Sequence, residues 1–167
     1  MQIIKQMKTE ADMEEKELLE EFAIKYFINQ LSRIENNPYT IVEHTDKPDF
    51  IIQNEKSREV FAVEIAHLYY DQEEAKMIFG RSKRKVHSGE YGEMYIQRLN
   101  SLIADKIKKY GNYDFAGNII LVIRVTSRVF DLNLFRQYYD LIEIPENMYS
   151  QICLIDLRGQ DMVFLKR

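Results

Sequence analysis

The chain has 167 residues, 46% of them hydrophobic and 30% charged, with a formal net charge of -4. That composition fits one compact α/β domain spanning 1–167 and excludes a disordered or low-complexity chain. The negative total speaks against a protein that coats DNA over its whole surface, and a single cysteine excludes an internal disulfide and a cysteine-built zinc cluster.

The opening residues Met1-Gln2-Ile3-Ile4-Lys5 lack the apolar core of a signal peptide. Residues 10–34 contain neither Gly nor Pro and predict a helix. Thr9 or Asp12 is a candidate cap, and glutamates from Glu10 to Glu20 suit the positive N-terminal end. Leu18, Leu19, Phe22, Tyr26 and Phe27 are taken as its apolar face, and Asn36-Asn37-Pro38 as its stop. Three strands follow: Tyr39–Glu43, Pro48–Ile52 and Val60–Ala66, with the polar turn 53–59 between the last two. They predict an antiparallel meander. The segment 76–88 breaks the pattern with Lys76, Arg81, Lys83, Arg84 and Lys85 and no acid. A second helix is predicted from about Glu90 to Tyr110, with Met94, Leu99, Leu102, Ile103 and Ile107 inside and Gly111 as its stop. Asn118–Val125 is almost wholly apolar and reads as a buried strand. A short helix over 131–141 and strands at Gln151–Leu157 and Met162–Leu165 complete the chain. Cys153 falls in the apolar run of the first of these strands, which makes it a core residue and favours a reducing interior. No apolar stretch approaches the roughly 18 residues of a membrane helix. The expected setting is cytoplasmic, without a membrane partner.

The chemistry centres on Pro48-Asp49 and Glu64. A hairpin between their strands brings both carboxylates to neighbouring positions. Alternation puts Glu64 on one face with Ala62 and Ala66, while Val63 and Ile65 point the other way. A carboxylate among such apolar neighbours needs a cation, because an unpaired buried charge costs several kcal/mol. Two carboxylates with oxygen donors such as the Ile65 carbonyl suit Mg²⁺ or Mn²⁺. The plain alternative is that Glu64 pairs with a lysine or arginine and that Pro48-Asp49 is only a turn.

The segments Lys47-Pro48-Asp49-Phe50-Ile51-Ile52 and Phe61-Ala62-Val63-Glu64-Ile65-Ala66 resemble the core of the PD-(D/E)XK nuclease superfamily, particularly a small bacterial branch. The α-β-β-β-α-β order over 10–125 is similar to that superfamily's restriction-endonuclease-like core, a mixed central sheet flanked by helices. The resemblance implies that Asp49 and Glu64 hold one or two divalent ions for phosphodiester cleavage. It also places a lysine two residues after the glutamate, where this chain has Ala66. Some branches supply that lysine from the next helix, and Lys106 beside Ile103 and Ile107 is the first candidate here, ahead of Gln97 and Lys109. The alternative for Lys106 is a boundary lysine that reaches water. The superfamily often carries an acid on its first helix. Glu15, Glu17, Glu20 and Glu21 compete for that role, and Glu20, which projects near Phe27 and Leu31, is preferred.

Arg81, Lys83, Arg84 and Lys85 are candidates for nucleic-acid backbone contacts, with Tyr69, Tyr70 and Phe79 available for stacking on bases. A solvated loop is the bland reading of the same run. His67 falls opposite Glu64 and reads as a packed or edge histidine. His44 lies near Asp46 and Asp49, and His87 belongs to the basic run. No phosphate-cradling GxxxxGK[ST], dinucleotide GxGxxG, HExxH or nucleophile-elbow motif occurs. The sequence therefore predicts a Mg²⁺- or Mn²⁺-dependent nuclease with Asp49, Glu64, Lys106 and Glu20 as catalytic residues. Asp49 and Glu64 are its metal ligands, and DNA or RNA is its partner. A homodimer is left open. The rival is a nuclease fold without catalysis, acting as a nucleic-acid-binding or protein-interaction module.

Overall fold

A computed structural model describes residues 2–69, 88–113, 115–127 and 129–167, with side chains from Met13 in the first helix and from Tyr91 in the second. The described elements are α1 (Gln2–Glu35), β1 (Tyr39–His44), β2 (Phe50–Asn54), β3 (Val60–Leu68), α2 (Ser88–Lys109), β4 (Asn118–Val125), α3 (Asn133–Gln137), β5 (Gln151–Asp156) and β6 (Asp161–Lys166). The six strands form one mixed sheet in sequence order. β1, β2 and β3 make the expected antiparallel meander. β3–β4 and β4–β5 are parallel, and β6 returns antiparallel on β5. No helix among the described residues is long and apolar enough to cross a membrane.

Alternation along the strands divides the core in two. Ala62, Ala66 and Leu68 of β3 join Ile119, Leu121 and Ile123 of β4 against Tyr95, Ile96, Leu99 and Ile103 of α2. Val63 and Ile65 join Ile120, Val122 and Cys153 against Ala23, Ile24, Phe27 and Leu31 of α1. A strand buried on both faces has no polar positions to alternate, which is why β4 reads as continuous apolar sequence.

Several expectations need correction. α1 begins at Gln2, well before residue 10, and its sheet-facing stripe excludes Leu18 and Phe22, both of which are exposed. At about 100° per residue Leu18 stands on the opposite side of the helix from Phe27. The stop is built at Asn36, in the left-handed region at φ 51°, with Asn37 N–H donating to the Ser32 carbonyl at 3.2 Å. That bond closes the last turn, and Pro38 lies just beyond it. Met94 is exposed, and Tyr91, Tyr95 and Ile96 take the interior of α2 that it was expected to share. The helix expected over 131–141 is a five-residue α3 followed by a 3₁₀ turn at Tyr139–Leu141.

Asn100 ties α2 to that turn. Its side-chain amide donates to the Leu141 carbonyl at 2.9 Å, and its oxygen accepts the Glu143 N–H at 2.8 Å. Asn100→Ala removes both partners from a buried position. The expected loss is about 2 kcal/mol, read as a lower urea midpoint at unchanged slope. An unchanged midpoint would mean that water replaces both bonds.

Candidate active site

The site forms where β2 begins. Phe50 pairs with Val63, so one further step of the antiparallel register sets Asp49 opposite Glu64. A short loop delivers Asp49 there. Thr45 N–H donates to the Asp49 carbonyl at 2.8 Å, and the Thr45 hydroxyl bonds the Pro48 carbonyl. The Lys47–Pro48 peptide is cis. Asp49 Oδ2 then accepts the Ile65 N–H at 2.7 Å, which fixes its carboxylate against β3.

Glu64 is 7% exposed. Its Oε1 receives Lys106 Nζ at 2.5 Å. Its Oε2 is buried and has no hydrogen-bond partner among the described residues. Lys106 reaches it from α2, one turn beyond the buried Ile103, with a half-buried stem. The Tyr149 hydroxyl donates to the Lys106 carbonyl at 3.3 Å, and the Tyr149 ring stands edge-on to Tyr110. Tyr149 therefore braces the turn that carries the lysine. Burial and then the charge of Glu64 push its hydroxyl up, so it remains a donor.

Glu20 is the third acid. It is buried at the edge of the α1 stripe, with Lys16 Nζ 3.4 Å and His67 Nε2 3.8 Å from its Oε1. Burial raises the Glu20 carboxyl, but His67 and Lys16 outweigh it and hold it below the usual range. Asp49 goes the other way. Burial, helped by the charges of Glu20 and Glu64, pushes it up to about 6 against the opposing Ile65 N–H and Lys16. Glu20, Asp49, Glu64, Lys106 and Lys16 line one cavity of about 410 Å³.

The four expected catalytic side chains thus meet in one place. Glu15, Glu17 and Glu21 are exposed, which leaves Glu20 as the acid of the first helix. Gln97 is exposed and outside the cavity, so it is not a substitute for the missing lysine. Lys109 lines the cavity but pairs with Asp105 at 3.1 Å. Ala66 is packed in the core beneath α2, where a lysine would have to displace apolar neighbours. His44 stacks on Phe50 at 4.5 Å between ring centroids and does not line the cavity. His67 is on the face opposite Glu64, as alternation requires. Its approach to Glu20 was not foreseen, because it depends on how α1 crosses the sheet. Lys16 was legible as the residue four before Glu20 on the helix. Tyr149, which braces the turn that carries Lys106, has no local sequence signal. Arg81, Lys83, Arg84 and Lys85, with Tyr70, Phe79 and His87, lie outside the described residues.

A hard divalent cation fits the donor set at one point. Glu64 Oε2 is a buried oxygen without a partner among the described residues, and one step beyond the Phe50–Val63 pair sets Asp49 opposite Glu64. Among the described residues no group of three or more His, Cys, Asp or Glu side chains is drawn together closely enough to hold a metal. Two carboxylates do suffice where substrate phosphate oxygens complete the shell, as is usual for Mg²⁺. Comparison of the chain with family models, with curated proteins and with solved structures gives no match.

Proposed function

We propose that this protein is a divalent-metal-dependent nuclease that hydrolyses phosphodiester bonds of DNA or RNA on a restriction-endonuclease-like, PD-(D/E)XK core. One observation carries the reading. A single cavity gathers Glu20, Asp49 and Glu64 with a lysine from a separate helix, and one Glu64 oxygen there is buried without a partner among the described residues. Acids and a lysine confined together in one cavity suit phosphate chemistry better than structural support, since each buried charge carries a desolvation cost.

In this reading Asp49 and Glu64 hold Mg²⁺ or Mn²⁺. The bound ion supplies charge against the scissile phosphate and a more acidic water. Lys106 extends its ammonium into the cavity, where it offsets negative charge growing on a phosphate oxygen. It takes the place of the lysine that Ala66 cannot be. Glu20 adds a third negative group at the wall. The basic run Arg81, Lys83, Arg84 and Lys85 holds the nucleic-acid backbone by salt-sensitive, sequence-independent contacts.

The expected result is that Mn²⁺ binds the wild-type chain by calorimetry and supports cleavage of DNA or RNA, and that Asp49→Ala loses both. Mn²⁺ affinity unchanged in Asp49→Ala would remove the nuclease reading. A second reading has its own support: Lys106 already occupies Glu64 Oε1, so the pair is partly satisfied without a metal. It makes the protein a nucleic-acid-binding or protein-interaction module on the same fold. It predicts salt-dependent nucleic-acid binding by a wild-type chain with no Mn²⁺ affinity at all.

A further inference from the structure

His67 has no part in the chemistry so far. It lies on β3 three residues beyond Glu64, on the face that packs against α1. Its register partner on β4 is Arg124, whose Nε donates to His67 Nδ1 at 2.9 Å. A guanidinium has donors only. Nδ1 must therefore present its lone pair, and the ring proton sits on Nε2. Nε2 is buried without a hydrogen-bond partner among the described residues, 3.8 Å from Glu20 Oε1. The His67 side chain is only 10% exposed.

We infer that His67 is a positioning residue: with its tautomer set by Arg124, it is the fixed N–H donor that aims the buried Glu20 carboxylate into the Asp49/Glu64 cavity. A side-chain shift of about 1 Å turns the present separation into a hydrogen bond. Lys16 cannot do the same, because its side chain is 65% exposed and its pull is screened by water. What Glu20 does toward a cation rests on the nuclease reading. The Arg124–His67–Glu20 chain of contacts does not.

Two substitutions separate positioning from packing. Glutamine at this site carries its amide nitrogen near the Nε2 position, and asparagine carries its polar group near Nδ1. His67→Gln keeps a donor toward Glu20, while His67→Asn keeps an acceptor for Arg124. The expected result is near-wild-type Mn²⁺ affinity in His67→Gln and about tenfold weaker affinity in His67→Asn, the size usual for partners that orient metal ligands. A residue that only anchors Arg124 gives the reverse order, and either that order or equal affinities would overturn the inference. The NMR arm needs no metal. Ring ¹⁵N shifts of wild-type His67 are expected to report Nε2–H, and the Glu20 carboxyl ¹³C signal to move in His67→Asn but not in His67→Gln. An Nδ1–H tautomer, or a Glu20 signal unmoved in both variants, refutes the positioning role. If wild type fails to bind Mn²⁺, the nuclease reading falls and this second arm alone decides the role of His67.

Discussion

Lys106→Met is expected to cost the metal-free protein about 3 kcal/mol and, on the nuclease reading proposed above, to lower metal-dependent cleavage by at least about 100-fold. Both effects come from one contact. Lys106 Nζ sits 2.5 Å from Glu64 Oε1, and the Glu64 side chain is nine-tenths buried. Methionine keeps the apolar stem and deletes the ammonium, so α2 still packs through Leu99 and Ile103. Glu64 then has one oxygen that has lost its partner and another that had none among the described residues. A buried carboxylate stripped of its counter-ion is among the costliest single changes a core can suffer. Urea denaturation in chelator measures the stability loss. Repeating it with Mn²⁺ distinguishes the two roles: an ion at Glu64 restores part of the stability without restoring the rate. Cleavage by Lys106→Met at the wild-type rate would show that the lysine serves only as a structural counter-ion.

Asp49→Asn is expected to raise stability at neutral pH and, on the nuclease reading, to weaken metal binding. In the metal-free protein the Asp49 carboxyl is pushed up to about 6 from an ordinary 3.8, first by burial and then by the charges of Glu20 and Glu64. The folded state therefore prefers the protonated form. Stability contributed by that preference is fully present below about pH 4 and is lost as pH rises through about 6. The ionised carboxylate thus burdens the native state at neutral pH by at most about 3 kcal/mol. Asparagine is uncharged at every pH and keeps an oxygen for the Ile65 N–H. Its melting temperature in chelator should match wild type near pH 4 and exceed it by about 5 °C at pH 7.5. On the nuclease reading Mn²⁺ affinity falls in the same variant, because an amide oxygen is a weaker donor than a carboxylate for a hard cation. A melting difference independent of pH would show that the ionisation of Asp49 is not what destabilises the site. The trade of stability for charge is the signature expected of a functional carboxylate rather than a packing residue.

Most elements were legible because they follow from local periodicity. β4 was bounded correctly at Asn118–Val125, since eight residues with one charge leave no other reading. The faces of β3 followed from alternation alone, which put Glu64 with Ala62 and Ala66 and His67 opposite. Lys106 became the first candidate because the resemblance implies a lysine supplied from the second helix, and its place beside Ile103 and Ile107 lets a lysine stem lie along an apolar surface. The failures were of a different kind. Leu18 and Phe22 were assigned to the buried face of α1 from hydrophobicity, but the helix meets the sheet through Ala23, Ile24, Phe27 and Leu31, with Tyr26 and Ile28 packed beside them. Met94 failed likewise, where Tyr95 supplies the bulk that fills the space beneath α2.

The amino-acid order by itself located the strands and the two long helices and singled out Asp49 and Glu64 as partners, because pleat and helix periods are properties of neighbouring residues. Only the tertiary structure decided which acid of α1 enters the cavity, that Lys106 closes on Glu64 across 42 positions, and that Arg124 sets the ring of His67. Those depend on the register of β3 with β4 and on how each helix crosses the sheet. Both are fixed by the packing of two separate cores, which no local stretch of chain encodes.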